Sequence, residues 1–396
     1  MPNVPSQRFD DCVVTTLSDQ ARTSRRERIA RVRGRMGELG VDAVLLSHGA
    51  DLPWLTGYRA MPLERLTMLV LRPAGESVLV VPGLEAPRVA GADDLFALLP
   101  WTDAQDPIEL VASLLGKGGG TNLRCAVSDR AWATTVLALQ RQLPNAEWIE
   151  ASTVTSPIRA VKDAAELAAL RMAGAAADRV AAKLQAGEIR LIGRTESEVS
   201  GHIAALLIEE GHQQVNFAIV GSGPNAASPH HEPGRRVIGE GETVVCDFGG
   251  SYSLDGDVGY CSDITRTVVT GSPSPEVDEC YAVLLEAQQA AVFSARAGVS
   301  AEHVDQVART IIEDAGFGDL FVHRTGHGIG IEEHEDPYLV AGNGERLEPG
   351  HAFSVEPGIY WPDRFGMRLE DIVVIGEDGS PEPLNVADHG LALVGT

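Results

Sequence analysis

Beyond residue 156 the chain runs through the same order of patterns twice, and that recurrence restricts its fold more than any other feature. Residues 163–185 are rich in Ala and Leu, hold no proline and carry Gly174 as their one glycine, which predicts a long helix. Thr195-Glu-Ser-Glu198 has the form of a capping box and predicts a second helix, which Gly211 can end. Strand-like apolar runs follow at 214–220, 242–248 and 263–269. The order then restarts. Ser274-Pro275 opens a helix to about residue 297, Ser300 caps another that reaches Gly316, and runs at 351–355 and 367–375 read as strands. Two helices followed by strands, twice over, predict an α+β domain built by internal pseudo-twofold duplication.

The preceding part reads differently. Residues 1–22 are polar and aperiodic and are expected to form a flexible tail. Ser24-Arg-Arg-Glu27 is a capping-box signature, and Ile29, Val32, Met36 and Leu39 then share one helical face that Gly40 can close. A strand at 41–46 and a hairpin formed by 66–71 and 77–81 around Pro73-Ala-Gly-Glu76 come next. A helix at 106–115, a strand at 123–127, a helix at 132–143 and a strand at 148–151 complete an alternating α/β pattern. The division expected is a tail over 1–22, a smaller α/β domain over 23–155 and a larger domain over 156–396. The 396 residues fit that division at roughly 100–200 residues per domain.

Charge and cysteine usage narrow the function. Asp plus Glu number 56 against 32 Lys plus Arg, a net charge of −24, which repels phosphate backbones and anionic headgroups. No nucleic-acid or membrane partner is expected. Cys12, Cys125, Cys246, Cys261 and Cys280 are scattered without a CxxC pair, which speaks for a reducing compartment and against a thiolate zinc site. The N-terminus does not read as a signal peptide and no run approaches the ~18 apolar residues of a membrane span, so a cytoplasmic protein is expected.

Acids in the wrong surroundings point to chemistry. Asp247 lies in Val-Val-Cys-Asp-Phe-Gly-Gly, Asp263 in Cys-Ser-Asp-Ile-Thr-Arg, Glu356 in Phe-Ser-Val-Glu-Pro-Gly and Glu370 in Met-Arg-Leu-Glu-Asp. Each sits in or beside an apolar run, where an ionised carboxylate is costly unless it is paired or binds metal. Arg266 and Arg368 are the only arginines close in sequence. Six of the 11 histidines fall between His230 and His334. Four carboxylates and one neutral imidazole carry −4, which two divalent cations cancel. Oxygen-dominated ligation with one imidazole favours Mn²⁺, Co²⁺, Fe²⁺ or Zn²⁺. Two such ions ~3.5–4 Å apart can bridge a hydroxide and polarise a carbonyl.

These runs, together with Gly259-Tyr-Cys-Ser-Asp-Ile-Thr-Arg-Thr, His323-Arg-Thr-Gly-His-Gly-Ile-Gly and Phe353-Ser-Val-Glu-Pro-Gly-Ile-Tyr, resemble the M24 metallopeptidases, the "pita-bread" enzymes. Ile158-Arg-Ala-Val-Lys162 and Asp51-Leu-Pro-Trp-Leu-Thr-Gly-Tyr58 resemble the Xaa-Pro aminopeptidase and prolidase branch, which carries a creatinase-like N-terminal domain. The resemblance implies a pita-bread catalytic domain behind a creatinase-like α/β domain. It also implies two divalent ions, most often Mn²⁺, held by Asp247, Asp263, His327, Glu356 and Glu370. Short proline-containing peptides are the implied substrates, and a homodimer or a dimer of dimers the implied assembly.

His230 resembles the histidine that hydrogen-bonds the oxygen developing charge, and His334 one that contacts the substrate backbone. His323 matches a position lining the proline pocket. Arg368 is expected to orient Glu370 or to hold the substrate's carboxylate. Glu356 is expected to carry a proton from the nucleophilic water to the leaving nitrogen. His231 is equally compatible with a surface or packing role. Asp247 and Asp263 lie 16 apart, wider than the family's usual spacing, so residues 251–257, with Asp255 and Asp257, read as an insertion.

An Xaa-Pro bond suits a dedicated enzyme, because its nitrogen is tertiary and its peptide bond can be cis. The runner-up within the fold is a hydrolase of a small amide or amidine, as in the creatinase branch, which lacks the metal ligands. A catalytically inactive peptidase-like binding module is the third reading, and such modules also lose ligands. Gly116-Lys117-Gly118 lacks the Ser or Thr of a P-loop, and no HExxH or GxSxG occurs.

Overall fold

A computed structural model describes residues 19–89, 95–116, 122–254 and 258–395. The chain forms two compact units that divide between Thr155 and Ser156. Residues 1–18 and the pair Asp255 and Asp257 lie outside the described residues.

Short β-rich apolar runs build the first unit. Strands β1 (Ala43–Leu46), β2 (Met68–Leu71), β3 (Val78–Pro82), β4 (Ala97–Trp101), β5 (Arg124–Val127) and β6 (Glu147–Glu150) form one sheet in the order β4-β3-β2-β1-β5-β6. β2 and β3 make the expected antiparallel hairpin, whereas β5 runs parallel to β1 and β6. Helix α1 covers Asp19–Leu39, and the six-residue α2 covers Asp51–Thr56. α1 already includes Asp19, five residues before Ser24, and the Thr23 hydroxyl donates to the Asp19 carbonyl. Helices α3 (Pro107–Leu114) and α4 (Ala133–Gln142) bring Val111 and Leu139 onto the core of Leu45, Met68, Val70 and Val80. Asp106 caps α3, its carboxylate accepting from Ile108 N at 2.9 Å. β4 was not foreseen. Among the described residues it is an edge strand paired with β3 alone, where Pro100 costs no ladder bond.

Helix α5 (Ser152–Ala160) carries the chain onward. In the second unit, α6 (Ala164–Gln185) opens on a capping box in which Glu166 N donates to Asp163 Oδ1 and Asp163 N to Glu166 Oε2. α7 (Glu196–Glu209) opens on the Thr195–Glu198 box. Antiparallel strands follow: β7 (Gln214–Ser222), β8 (Thr243–Tyr252), the short β9 (Tyr260–Cys261) and β10 (Ile264–Thr270). The second half repeats the order with α8 (Pro275–Ser294) and α9 (Ala301–Asp314). Its strands are β11 (Gly326–Gly328), β12 (Glu335–Leu339), β13 (Ala352–Val355), the hairpin β14 (Gly358–Trp361) with β15 (Phe365–Arg368), β16 (Asp371–Ile375) and β17 (Pro381–Pro383). β18 (Ala392–Val394) returns to pair with β10. The sheets run β18-β10-β8-β7 and β12-β11-β13-β16-β17.

Each half buries its two helices on its own sheet. Val180, Ile203 and Leu207 pack with Val220, Val244 and Ile264 in one core. Leu284, Val304 and Ile312 pack with Phe353, Val355 and Val373 in the other. The run 367–375, read as one strand, is two. β15 pairs with β14 and β16 with β13, so the chain changes sheets at Leu369–Glu370. Glu370 forms a lone antiparallel bridge with Thr265 of β10, joining the two halves there. No helix among the described residues is long and apolar enough to cross a membrane.

Asp163→Ala removes the acceptor that starts the 22-residue α6. It should cost about 1 kcal/mol, read as a lower urea midpoint by circular dichroism. An unchanged midpoint would show that packing alone fixes that terminus.

Candidate metal centre

The two-residue period of β8 places Asp247. Val244, Cys246 and Phe248 point into the helix-covered core, so Asp247 points to the opposite face. β10 does the same for Thr265, which is paired with Asp247. The insertion extends the β8 hairpin through β9, with Ser251 opposite Cys261, and leaves Asp263 at the break between β9 and β10. Glu356 directly follows β13, and Glu370 sits between β15 and β16. Three of the four acids thus occupy strand ends, where side chains from different sheets can converge.

His327 is held from both sides. A Cβ on Gly326 would lie 1.9 Å from the Ser354 carbonyl oxygen, and one on Gly328 2.2 Å from that of Asp336, so only glycine fits beside it. His327 Nδ1–H donates to Gly328 O at 3.1 Å, which turns the Nε2 lone pair toward Glu356 Oε1 at 3.2 Å and Asp263 Oδ2 at 3.8 Å. Ser354 Oγ accepts from His327 N and donates to Glu356 Oε1, tying both residues to β13. Asp305 of α9 holds Thr325 through its N–H and hydroxyl. Thr325 O in turn accepts from Glu356 N.

All nine residues named for the site line one cavity of ≈ 410 Å³: Asp247, Asp263, His327, Glu356, Glu370, His230, His323, His334 and Arg368. Ligand atoms of Asp263, His327 and Glu370 lie within 4.8 Å of one another. Asp247 Oδ2 accepts from Arg368 at 2.6 Å, but its buried Oδ1 has no hydrogen-bond partner among the described residues. Burial and the neighbouring carboxylates push Asp263 and Glu370 well above the usual carboxylate range. Asp247 is raised as well, chiefly by burial. Burial also acts on Glu356, yet the His327 imidazole and nearby cations hold it at about 2.

Arg368 is 3% exposed, and each of its three guanidinium nitrogens donates a hydrogen bond. It donates to Asp247, to Thr265 Oγ1, to Tyr360 Oη and to the Pro229 carbonyl. Its charge acts on Glu370, and the hydrogen-bonded link between them runs through Thr265, whose hydroxyl donates to Glu370 Oε2 at 2.6 Å. Tyr360 Oη donates to His323 Nε2, while His323 Nδ1–H donates to the Arg324 carbonyl. The His334 ring lies 3.9 Å from that of His327, and burial with the neighbouring His327 and Arg324 lowers it to about 4. His231 stays out of the cavity and pairs with Glu196 at 2.8 Å. Buried Glu196 also accepts from Ser222, Asn225 and Gly234, pinning the loop that carries His230.

Sequence reasoning names Arg266 only as a nearby charge; fully buried, it binds Asp371 and the Glu370 carbonyl. Arg324 and Glu333, which sequence reasoning missed, line the cavity too, beside His323 and His334 in their motifs.

The chain matches metallopeptidase family M24 over residues 167–377 and the creatinase/prolidase N-terminal domain over residues 28–161. The probable dipeptidase PepE of Mycobacterium tuberculosis is 44% identical over 370 residues, 93% of this chain and 96% of that protein. The chain belongs to metallopeptidase family M24. Among other relatives of this M24 chain, the Xaa-Pro dipeptidase of Lactobacillus helveticus is 37% identical, covering 85% of this chain and 91% of that protein. The crystal structure of dipeptidase PepE from Mycobacterium ulcerans matches with a TM-score of 0.87 at 43% identity, covering 94% and 98% of the two chains.

Membership implies use of a divalent metal, and the cavity fits one. A buried carboxylate oxygen without a donor, beside hard oxygen ligands and one imidazole aimed inward, is the donor set such a cation takes.

The raised Asp263 carboxyl gives a stability prediction. Below about pH 4 both folded and unfolded chains keep the proton; as pH rises the unfolded chain releases it first, so the folded state loses stability. Metal-stripped Asp263→Asn should therefore melt above metal-stripped wild type at pH 8, with the gap narrowing as pH falls. A lower melting temperature at pH 8 would contradict the assigned direction.

Proposed function

We propose that this M24 metallopeptidase hydrolyses Xaa-Pro bonds of short peptides with two divalent ions, Mn²⁺ ahead of Co²⁺, Zn²⁺ or Fe²⁺. The observation that carries the reading is the meeting of four carboxylates and the inward Nε2 of His327 in one cavity. Asp247, Asp263, His327, Glu356 and Glu370 would hold the ions, whose +4 cancels the −4 of the ligands. Bound divalent ions supply Lewis acidity toward a carbonyl and lower the pKa of water.

The protein's own groups do the rest. Glu356, ionised and fixed by Ser354, accepts a proton and delivers it to the leaving nitrogen, which is tertiary and needs it to depart. His230, on the loop pinned by Glu196, donates to the oxyanion developing on the scissile carbonyl. His334 contacts the substrate backbone beside the bond. Phe217, Ile219 and the His323 ring offer an apolar wall for the proline ring. A homodimer or dimer of dimers completes the reading, supported by the family resemblance. A cytoplasmic location is supported by Cys125, Cys246, Cys261 and Cys280, all buried and free.

Metal-stripped protein should leave Gly-Pro and Gly-Pro-Ala intact, and added Mn²⁺ should restore proline release from at least one. His230→Ala should lower kcat about 100- to 1,000-fold, and Glu356→Gln about 100- to 10,000-fold. Failure to cleave either peptide while metal binds would overturn the peptidase reading in favour of a small-amide hydrolase.

A further inference from the structure

The Ile158-Arg-Ala-Val-Lys162 run carries two buried cations that are not among the residues lining the metal cavity. Arg159, in the last turn of α5, and Lys162, between α5 and α6, both belong to the second unit. Their partners are two acids at and just before the start of β12. Lys162 Nζ donates to Glu335 Oε1 at 2.6 Å, while Arg159 Nη2 donates to Glu332 Oε2 at 2.9 Å and also to Glu335 Oε2. Two cations thus face two carboxylates. Burial acts to raise Glu335, yet Lys162 and Arg159 hold it below the usual carboxylate range. Buried pairs recover their lost hydration only in a good geometry, so they select that geometry.

Both sides of this clasp are anchored. On the cation side, Lys162 N donates to Gly350 O at 2.9 Å and Val161 bridges His351, immediately before β13, the strand that leads into Glu356. On the acid side, Gly330 O accepts from Cys261 N at 2.8 Å, and Glu335 lies opposite Gly328 in the β11–β12 ladder. A Cβ on Gly330 would push against the clasped Glu335 carboxylate, so the turn closes tightly because that residue is glycine. Glu332 and Glu335 face the cations, whereas the two residues between them, Glu333 and His334, line the cavity. The His334 ring rests 3.9 Å from that of His327, and among the described residues its one hydrogen-bond partner is Arg324 Nη2 at 3.3 Å. So exposed a side chain stands where the backbone of its turn puts it.

We propose that Arg159 and Lys162 are positioning residues for peptide hydrolysis: by clasping Glu332 and Glu335 on either side of His334, they hold its imidazole where it meets the substrate backbone. The assignment rests on the role given to His334 in the Xaa-Pro peptidase reading above. Neither cation touches the substrate. Losing the clasp frees the turn, and the loss reaches the reaction through His334.

The test is a double-mutant cycle on the Mn²⁺-loaded full chain, joining Lys162→Met to His334→Ala, with whichever of Gly-Pro and Gly-Pro-Ala the wild type cleaves. Lys162→Met should lower kcat/KM about 10- to 100-fold when His334 is present, the range for a misplaced contact group. In the His334→Ala background it should lower it less than about twofold. Lys162→Arg, which keeps the charge, should recover part of the loss. If Lys162→Met does not fold, Lys162→Met with Glu335→Gln takes its place, since it removes both charges and leaves Arg159 paired with Glu332. An equal fall in both backgrounds would overturn the assignment, because a general loss of packing or of metal does not depend on His334. NMR of the histidine-labelled, Zn²⁺-loaded chain gives a readout free of turnover. The His334 resonance, identified by its absence from His334→Ala, should shift or broaden in Lys162→Met and return toward its place in Lys162→Arg. An unchanged resonance would also overturn the assignment. Wild type that cleaves neither peptide would instead overturn the peptidase reading, and the resonance would then decide whether the clasp holds His334.

Discussion

Four carboxylates converge in one buried cavity, and the rest of the second unit can be understood as what makes that tolerable. Each acid loses hydration and feels the others, and burial with mutual repulsion pushes Asp263 and Glu370 toward the protonated form. Local partners relieve part of the cost: Arg368 on Asp247, Thr265 on Glu370, Ser354 on Glu356. What they leave over is the unpartnered Oδ1 of Asp247 and a shared negative charge that divalent cations neutralise. A site so disfavoured without metal requires a rigid frame, because side chains free to turn away would do so.

The frame comes from duplication. Each half lays two helices on an antiparallel sheet, and the acids stand on the faces or at the strand ends turned away from those helices. The halves meet at the Thr265–Glu370 bridge. Behind it, buried Arg266 grips the Glu370 carbonyl and Asp371, and Gln288 and His389 satisfy the other oxygen of Asp371. This pair of charges sits on the core side of β10, so the strand is fixed from behind while Thr265 works in front. Breaking such a pair leaves a buried charge unmatched, which is far costlier than losing a surface bridge.

Much of this was legible in the sequence for identifiable reasons. Capping boxes and apolar periodicity are local, so α7, the β2–β3 hairpin and the repeated order of helices and strands could be read directly. Acids inside apolar runs are physical anomalies, and that drew out the same residues the family resemblance pointed to. What stayed hidden depends on contacts distant in sequence. The continuous apolar run through Leu369 conceals a change of sheet, because strand propensity says nothing about which neighbour a strand pairs with. Arg368 sits two residues from Glu370 in sequence yet serves Asp247, since the backbone turns between β15 and β16.

Whether these five side chains form a metal site before anything else is decided by anomalous diffraction from crystals grown with Mn²⁺. Two anomalous peaks about 3.5–4 Å apart, enclosed by Asp247, Asp263, His327, Glu356 and Glu370, are expected. A cavity without a peak, or Mn²⁺ bound elsewhere while these carboxylates stay protonated against one another, would contradict it.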